Sequence, residues 1–128
     1  MCGIVGKLNF NGRPVTSQEI KAMSDTIVYR GPDDEGSLCQ EGIGLGQRRL
    51  SIIDLRREST APLSNEDGTV WIVFNGEIYN FQELRARLME QGHVFRTGSD
   101  TEVIVHLYEQ HGIECLKHLR GMFAFAIW

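Results

Sequence analysis

Met1-Cys2-Gly3-Ile4-Val5-Gly6 opens the chain, and Lys7-Leu8 carries the run to a polar turn at residues 9–12. Removal of Met1 makes Cys2 the first residue, with a thiol and a free α-amine in one amino acid. An α-amine titrates near pH ~8 and a free thiol near ~8.5, so such a residue is a nucleophile that carries its own general base. Gly3 to Leu8 reads as a first strand. A small residue at position two is ordinary by itself, and cysteine is commonly buried and inert. The weight of Cys2 comes from the rest of the chain.

The bulk composition narrows the classes. The chain has 128 residues, 41% of them hydrophobic and 23% charged, which suits one soluble domain. A net charge of -4 with no basic tail or basic helix argues against a nucleic-acid partner. No apolar run approaches the ~20 residues that span a bilayer, and the start lacks the basic and long apolar regions of a secretory signal. The 3 cysteines, Cys2, Cys39 and Cys115, make neither a disulfide framework nor a paired metal motif. Cytoplasm is the expected compartment. Gly121 to Trp128 reads as a buried strand with no polar residue behind it, which predicts a fold incomplete at its C-terminus.

Local signals divide the chain further. Thr16 and Glu19 form a capping box, and Ile20, Met23 and Ile27 supply one apolar helix face. Pro32 ends that element, and Arg30 to Gly36 reads as a tight, carboxylate-rich loop. Residues 43–53 read as one or two short strands, and residues 54–69 as irregular. Val70 to Phe74 is predicted as a strand buried on both faces that stops at Asn75-Gly76. Asn80 is predicted to cap the next helix, with Glu83 as reciprocal partner and Tyr79 and Leu84 as a hydrophobic staple. Phe81, Leu84 and Leu88 share its face, and Gly92 stops it. Another helix starts at Ser99. Ile104, Leu107, Tyr108 and His111 line one side of it, and Gly112 closes it. A short helix from Cys115 to Arg120 leads into the last strand. No internal repeat, dinucleotide fingerprint or P-loop is present.

Several residues carry chemistry beyond these elements. Asn-Gly is the commonest hairpin signal, yet a helix follows Asn75-Gly76. A side-chain amide and a backbone N–H can instead form an oxyanion hole, where loss of one donor typically costs roughly 3–4 kcal/mol. Arg48 and Arg49 are adjacent in a strand and point to opposite faces. One is expected to face solvent and the other a cleft, where a guanidinium can grip a carboxylate with two parallel hydrogen bonds. Asp100 and Glu102 suit a helix first turn. Asp100, beside Gly98, can instead face a ligand ammonium, and Glu77 raises the same question. His93, His106, His111 and His118 have no close ligand spacing and read as surface or helix residues. Cys39 and Cys115 read as packing residues. A terminal cysteine, an oxyanion pair, an arginine and an aspartate together suit the side-chain amide of a free amino acid, and glutamine fits.

The chain resembles the glutaminase domain of the class II amidotransferases, nearest to the N-terminal domain of glutamine-hydrolysing asparagine synthetases. The matching stretches are Met1 to Gly6, Arg30-Gly31-Pro32-Asp33, Arg49-Leu50-Ser51-Ile52-Ile53-Asp54 and Pro62-Leu63-Ser64-Asn65. They continue with Phe74 to Asn80, Thr97 to Glu102 and Gly121 to Phe125, so the resemblance spans essentially the whole chain. It implies an α+β fold of the N-terminal-nucleophile type, a four-layer α/β/β/α sandwich of two stacked antiparallel sheets. Cys2 would form a glutamyl thioester, with Asn75 and Gly76 as the oxyanion hole. Arg49 would hold the glutamine α-carboxylate and Asp100 its α-amine, while Leu50, Ile52 and Glu77 line the pocket. No cofactor is implied for residues 1–128, and ATP and Mg belong to a synthetase domain that the chain lacks. That domain would take the ammonia in cis, and a homodimer is compatible with the resemblance. Gln47-Arg48 departs from the His-Glu that asparagine synthetases often carry there. Two alternatives stay open: a non-catalytic fragment or binding module that keeps the motifs, or a glutaminase that serves another ammonia acceptor.

Overall fold

The computed structural model describes residues 2–50 and 61–128. Strand β1 (Gly3–Leu8) leads to helix α1 (Ser17–Asp25), and strands β2 (Asp34–Gln40) and β3 (Ile43–Arg49) follow. Next come β4 (Leu63–Ser64), β5 (Trp71–Ile78), α2 (Phe81–Glu90), α3 (Asp100–His111) and β6 (Gly121–Ile127). Single 3-10 segments, Val28–Arg30 and Gly112–His118, precede β2 and β6.

The strands form two antiparallel sheets of three, ordered β1-β3-β2 and β4-β5-β6. Helix α1 covers the outer face of the first sheet, where Ile20 is fully buried against Gly44 and Gly46. Helices α2 and α3 cover the outer face of the second. Leu84, Leu88, Val103, Ile104 and Leu107 pack there on Ile72, Phe74 and Ile78. Between the sheets a smaller apolar layer joins Ile4, Ile43 and Leu45 to Val73 and Ala126. The result is the expected α/β/β/α order, with successive side chains of β3 and β5 turned to opposite faces.

The helix starts divide into one expectation met and one corrected. Thr16 accepts from the Glu19 N–H while Glu19 accepts from the Thr16 N–H, so the α1 capping box forms in both directions. Asn80 makes no cap to α2. Its Nδ2 donates to the His118 carbonyl at 2.9 Å and its Oδ1 accepts from the Arg120 N–H at 3.0 Å. The side chain thus clamps the entry of β6, a long-range use that no local pattern encodes, and Tyr79 is exposed.

Three element boundaries also differ from the sequence reading. Strand β2 begins at Asp34, inside the stretch read as loop, because its backbone pairs with β3 from Asp34↔Arg49 onward. Strand β5 runs on through Asn75-Gly76 to Ile78, held by β6 along Asn75↔Ala124, Gly76↔Phe123 and Glu77↔Met122. Helix α3 is buried all round from Asp100 to Leu107, whereas Tyr108 and His111 are exposed, so the one-sided face drawn for it is wrong. Segments packed against several faces lose the amphipathic signature on which such readings depend.

Candidate functional site

Strand alternation decides which residues meet. On β1, Ile4 points between the sheets, so Cys2, two positions earlier, points the same way. On β3, Ile43 and Leu45 point between the sheets, and Gln47 and Arg49 continue that row. Extending the register Gly3↔Arg48 by one step sets Cys2 opposite Arg49. On β5, Val73 points toward the first sheet, and Asn75 and Glu77 follow it. Cys2 and Arg49 from one sheet therefore face Asn75 and Glu77 from the other.

Cys2 is half-buried, and its thiol sits over the chain leaving β3. The Leu50 N–H points to its Sγ at 3.4 Å, and Sγ lies 3.7 Å from the Leu50 carbonyl. Arg30 fixes the residue from behind, with Nε donating to the Cys2 carbonyl at 3.0 Å. Gly31 follows directly, and a Cβ there would lie 2.4 Å from the Arg49 nitrogen. Only glycine lets this loop lie flat on β3. Arg30 received no role from the sequence, although it lies in the Arg30-Gly31-Pro32-Asp33 motif.

The two arginines part as strand alternation requires, but neither is solvated. Arg48 is turned to the α1 face, where its guanidinium meets Asp25 at 2.5 Å and Glu35 at 2.7 Å and Nε donates to the Ser24 carbonyl. The expected solvent-facing arginine is thus a buried ion-pair hub that ties α1 to β2 and β3. Arg49 is also buried, on the inter-sheet side.

The β5 edge holds the most telling geometry. Trp71 exchanges two backbone bonds with Trp128 and Tyr79 donates to the Arg120 carbonyl, so odd-numbered residues bond to the β6 side. Even-numbered residues turn their N–H groups to the other edge, where β4 is only two residues long. Past β4, the Phe74 N–H donates to Gln47 Oε1 at 2.8 Å and the Ile78 N–H donates to Asp100 Oδ2 at 2.9 Å. The Gly76 N–H between them has no acceptor among the described residues. Gly76 sits at φ +154, and a Cβ there would lie 2.1 Å from the Met122 carbonyl oxygen. The Asn75 amide makes no hydrogen bond among the described residues, and its Oδ1 is buried. Among the described residues, the Gly76 N–H and the Asn75 amide are thus neighbours without a protein acceptor, the N–H on the β5 edge and the amide on the face turned to the sheet that bears Cys2.

Asp100 closes the other end of this edge. Ser99 caps α3 by accepting from the Thr101 N–H at 3.1 Å, which brings Asp100 into the first turn and under Ile78. Burial pushes the Asp100 carboxyl above its ordinary value, the Ile78 N–H opposes that, and the Glu77 charge adds to it. Glu102 faces away from this site. It accepts from the Arg96 and Thr97 N–H groups at 2.8 Å each and holds the loop that delivers Ser99 and Asp100. Leu50 lies against the Cys2 thiol as noted, whereas Ile52, with the Ser51 to Asp54 part of its motif, lies outside the described residues.

One histidine, a helix residue as expected, lies deep in the core. His106 is fully buried, with Nδ1 2.8 Å from Glu109 and Nε2 3.8 Å from Glu102. Burial would lower its pKa, but Glu102, Glu109 and Glu66 together raise it. Ring or carboxylate atoms of His93, His106 and Glu109 all lie within 4.8 Å of one another, the one set among the described residues with the donor types to hold a metal. Cys115 is buried in the α2–α3 core, and burial raises its thiol pKa, as fits a packing residue.

Comparison with known proteins places this geometry in a family. The model of the glutamine amidotransferase domain matches residues 1–128. The chain belongs to the glutamine amidotransferase domain family. Asparagine synthetase [glutamine-hydrolyzing] 1 of Bacillus subtilis is 50% identical over 131 residues, covering 100% of this chain and 21% of that protein. Asparagine synthetase [glutamine-hydrolyzing] 2 of Arabidopsis thaliana is 46% identical over 99% of this chain and 22% of its own length. The chain thus spans about a fifth of the length of these relatives. Among solved structures, the B. subtilis glutamine phosphoribosylpyrophosphate amidotransferase superposes with a TM-score of 0.77 at 22% identity, over 98% of this chain and 34% of that one. This likeness confirms the two-sheet fold. No helix among the described residues is long and apolar enough to cross a membrane.

Proposed function

We propose that this amidotransferase domain hydrolyses L-glutamine through a thioester on Cys2. The observation that carries the reading is the pairing across the sheets. Cys2 faces an edge of β5 where the Gly76 N–H and the Asn75 amide have no protein acceptor among the described residues. In the proposed reaction, Cys2 Sγ attacks the side-chain amide carbon of glutamine, and the thiol proton passes through the Cys2 α-amine to the leaving nitrogen. The carbonyl oxygen becomes an oxyanion that accepts from Gly76 N–H and Asn75 Nδ2, the end of the amide that a half-turn of the head group directs at it. Collapse expels ammonia and leaves the thioester. Water then adds to the thioester, the α-amine takes its proton, and glutamate leaves as the thiol reforms.

Arg49 and Asp100 select the free amino acid. The buried guanidinium pairs with the α-carboxylate, and Asp100, which spends Oδ2 on Ile78, offers its other oxygen to the α-ammonium. Glu77 and Leu50 border this space, and Ile52 is proposed as a further wall. The ammonia would serve a synthetase domain in the same polypeptide, in the cytoplasm. ATP and Mg would act there and not in residues 1–128, and asparagine formation from aspartate is the acceptor chemistry that the relatives' names favour. Release of glutamate and ammonia from glutamine in equal amounts, abolished by Cys2→Ala without loss of the thermal transition, is the expected outcome. Activity retained by Cys2→Ala would overturn the mechanism.

A further inference from the structure

We propose that Gln47 is a positioning residue for the oxyanion hole, acting through the backbone of Phe74. This inference rests on the glutaminase reading and adds a residue to it.

The β5 edge needs an external acceptor wherever β4 does not reach. Gln47 Oε1 supplies one to the Phe74 N–H at 2.8 Å, two residues before Gly76, and Asp100 Oδ2 supplies one to Ile78, two residues after it. The two side chains bracket the Gly76 N–H, which has no acceptor among the described residues. Gln47 is buried and lies on β3 between Leu45 and Arg49, on the strand whose register places Arg49 opposite Cys2. Its hydrogen bond is thus a strut between the sheet that bears the nucleophile and the strand that bears the donors. A buried N–H stripped of its acceptor either stays unpaired at a cost or twists to find another partner. A twist at Phe74 moves the Asn75 carboxamide and the Gly76 N–H together, because the intervening peptide units are planar. An oxyanion hole tolerates little such motion, since its donors must lie near 2.7–3.1 Å from the developing charge.

The amide also fixes the pH range of the strut. A glutamine oxygen accepts at every pH, whereas an imidazole nitrogen in the same place accepts only when neutral. Gln47 therefore frees the positioning of Asn75 and Gly76 from any titration near neutrality.

The test uses the purified protein with Met1 removed and steady-state glutaminase kinetics from pH 5 to 9. Gln47→Leu should lower kcat about 10- to 30-fold, less than the ~10²–10³ lost with a donor itself, and leave KM for glutamine within about twofold. Gln47→Glu, which keeps an acceptor oxygen, should restore most of kcat. Gln47→His should add an imidazole titration to the acid side of the kcat profile, beyond the limb that the Cys2 α-amine gives the wild type. Unchanged kcat in Gln47→Leu, a rise in KM alone, or an identical pH profile in Gln47→His would overturn the proposal. The histidine profile decides the matter even where the leucine variant fails to fold. A wild-type protein without glutaminase activity would overturn the underlying reading and this proposal with it, whereas an active wild type indifferent to Gln47 would overturn only the latter.

Discussion

Ile78 donates its backbone N–H to Asp100 Oδ2 at 2.9 Å, which ties the end of β5 to the start of α3 through a buried carboxylate. The bond fixes Asp100 at the end of β5, and in the proposed reaction the carboxylate takes the α-ammonium of glutamine.

Burial and the neighbouring Glu77 raise the Asp100 pKa in the free protein. A raised carboxylate pKa means that the folded state holds the proton more tightly than the unfolded chain. This group therefore favours the fold most below its unfolded pKa, and that contribution is lost as pH rises through its folded pKa. An ammonium ligand needs the ionised form. KM for glutamine should accordingly rise as pH falls through the raised Asp100 pKa, while Asp100→Asn flattens that dependence. Truncating one partner of a buried charge pair costs about 2–5 kcal/mol, so Asp100→Asn should also raise KM at least ~30-fold at pH 8. Steady-state kinetics over pH 4.5–8 check both.

Gly76 meets two constraints at once, a φ of +154 and a β6 backbone that a Cβ would strike at 2.1 Å. Gly76→Ala must push β6 away or twist β5. Overpacking of this kind costs about 1–3 kcal/mol, with a further ~1–2 kcal/mol from the backbone strain. Urea unfolding should show that loss, and the variant should have no measurable glutaminase activity.

The architecture around Cys2 was legible because its signals are local. An N-terminal cysteine followed by a strand, the Thr16–Glu19 box and the Ser99 cap are short-range statements, and the structure keeps all three. Asn80 looked equally local, yet its amide spans 38 and 40 residues to His118 and Arg120. The pairing of Arg48 with Asp25 and Glu35, and of Gln47 with Phe74, depends on which elements lie across a sheet, which periodicity does not encode. Alternation did carry half of that information. It separated Arg48 from Arg49 correctly and, read two residues back from Arg49, would have set Gln47 on the site side. What it could not supply was the shortness of β4, which leaves the β5 edge to be finished by side chains.

The carboxylates around His106 make stability depend on pH. Burial alone would raise the Glu102 pKa, but the adjacent His106 ring and hydrogen bonds from Arg96 and Thr97 lower it from 4.5 to about 2. His106 moves the other way, above its ordinary 6.5, through Glu102, Glu109 and Glu66, with the His93 ring tilted against it. Glu102 stabilises the fold above about 4.5 and loses that effect as pH falls through about 2. The His106 contribution is complete below 6.5 and is lost as pH rises through the raised value. The cluster therefore stabilises most between the two ordinary values. His106→Gln should cost about 2 kcal/mol at pH 6, and the Tm gap between the two proteins should narrow toward pH 9.

Intact mass after treatment with a glutamine-analogue diazoketone tests the central claim most directly. The expected result is loss of Met1 and one adduct, mapped to Cys2 and blocked by excess glutamine. A protein that has lost Met1 and takes no adduct, or takes one at Cys39 or Cys115, would contradict the assignment of Cys2 as the nucleophile of a glutamine site.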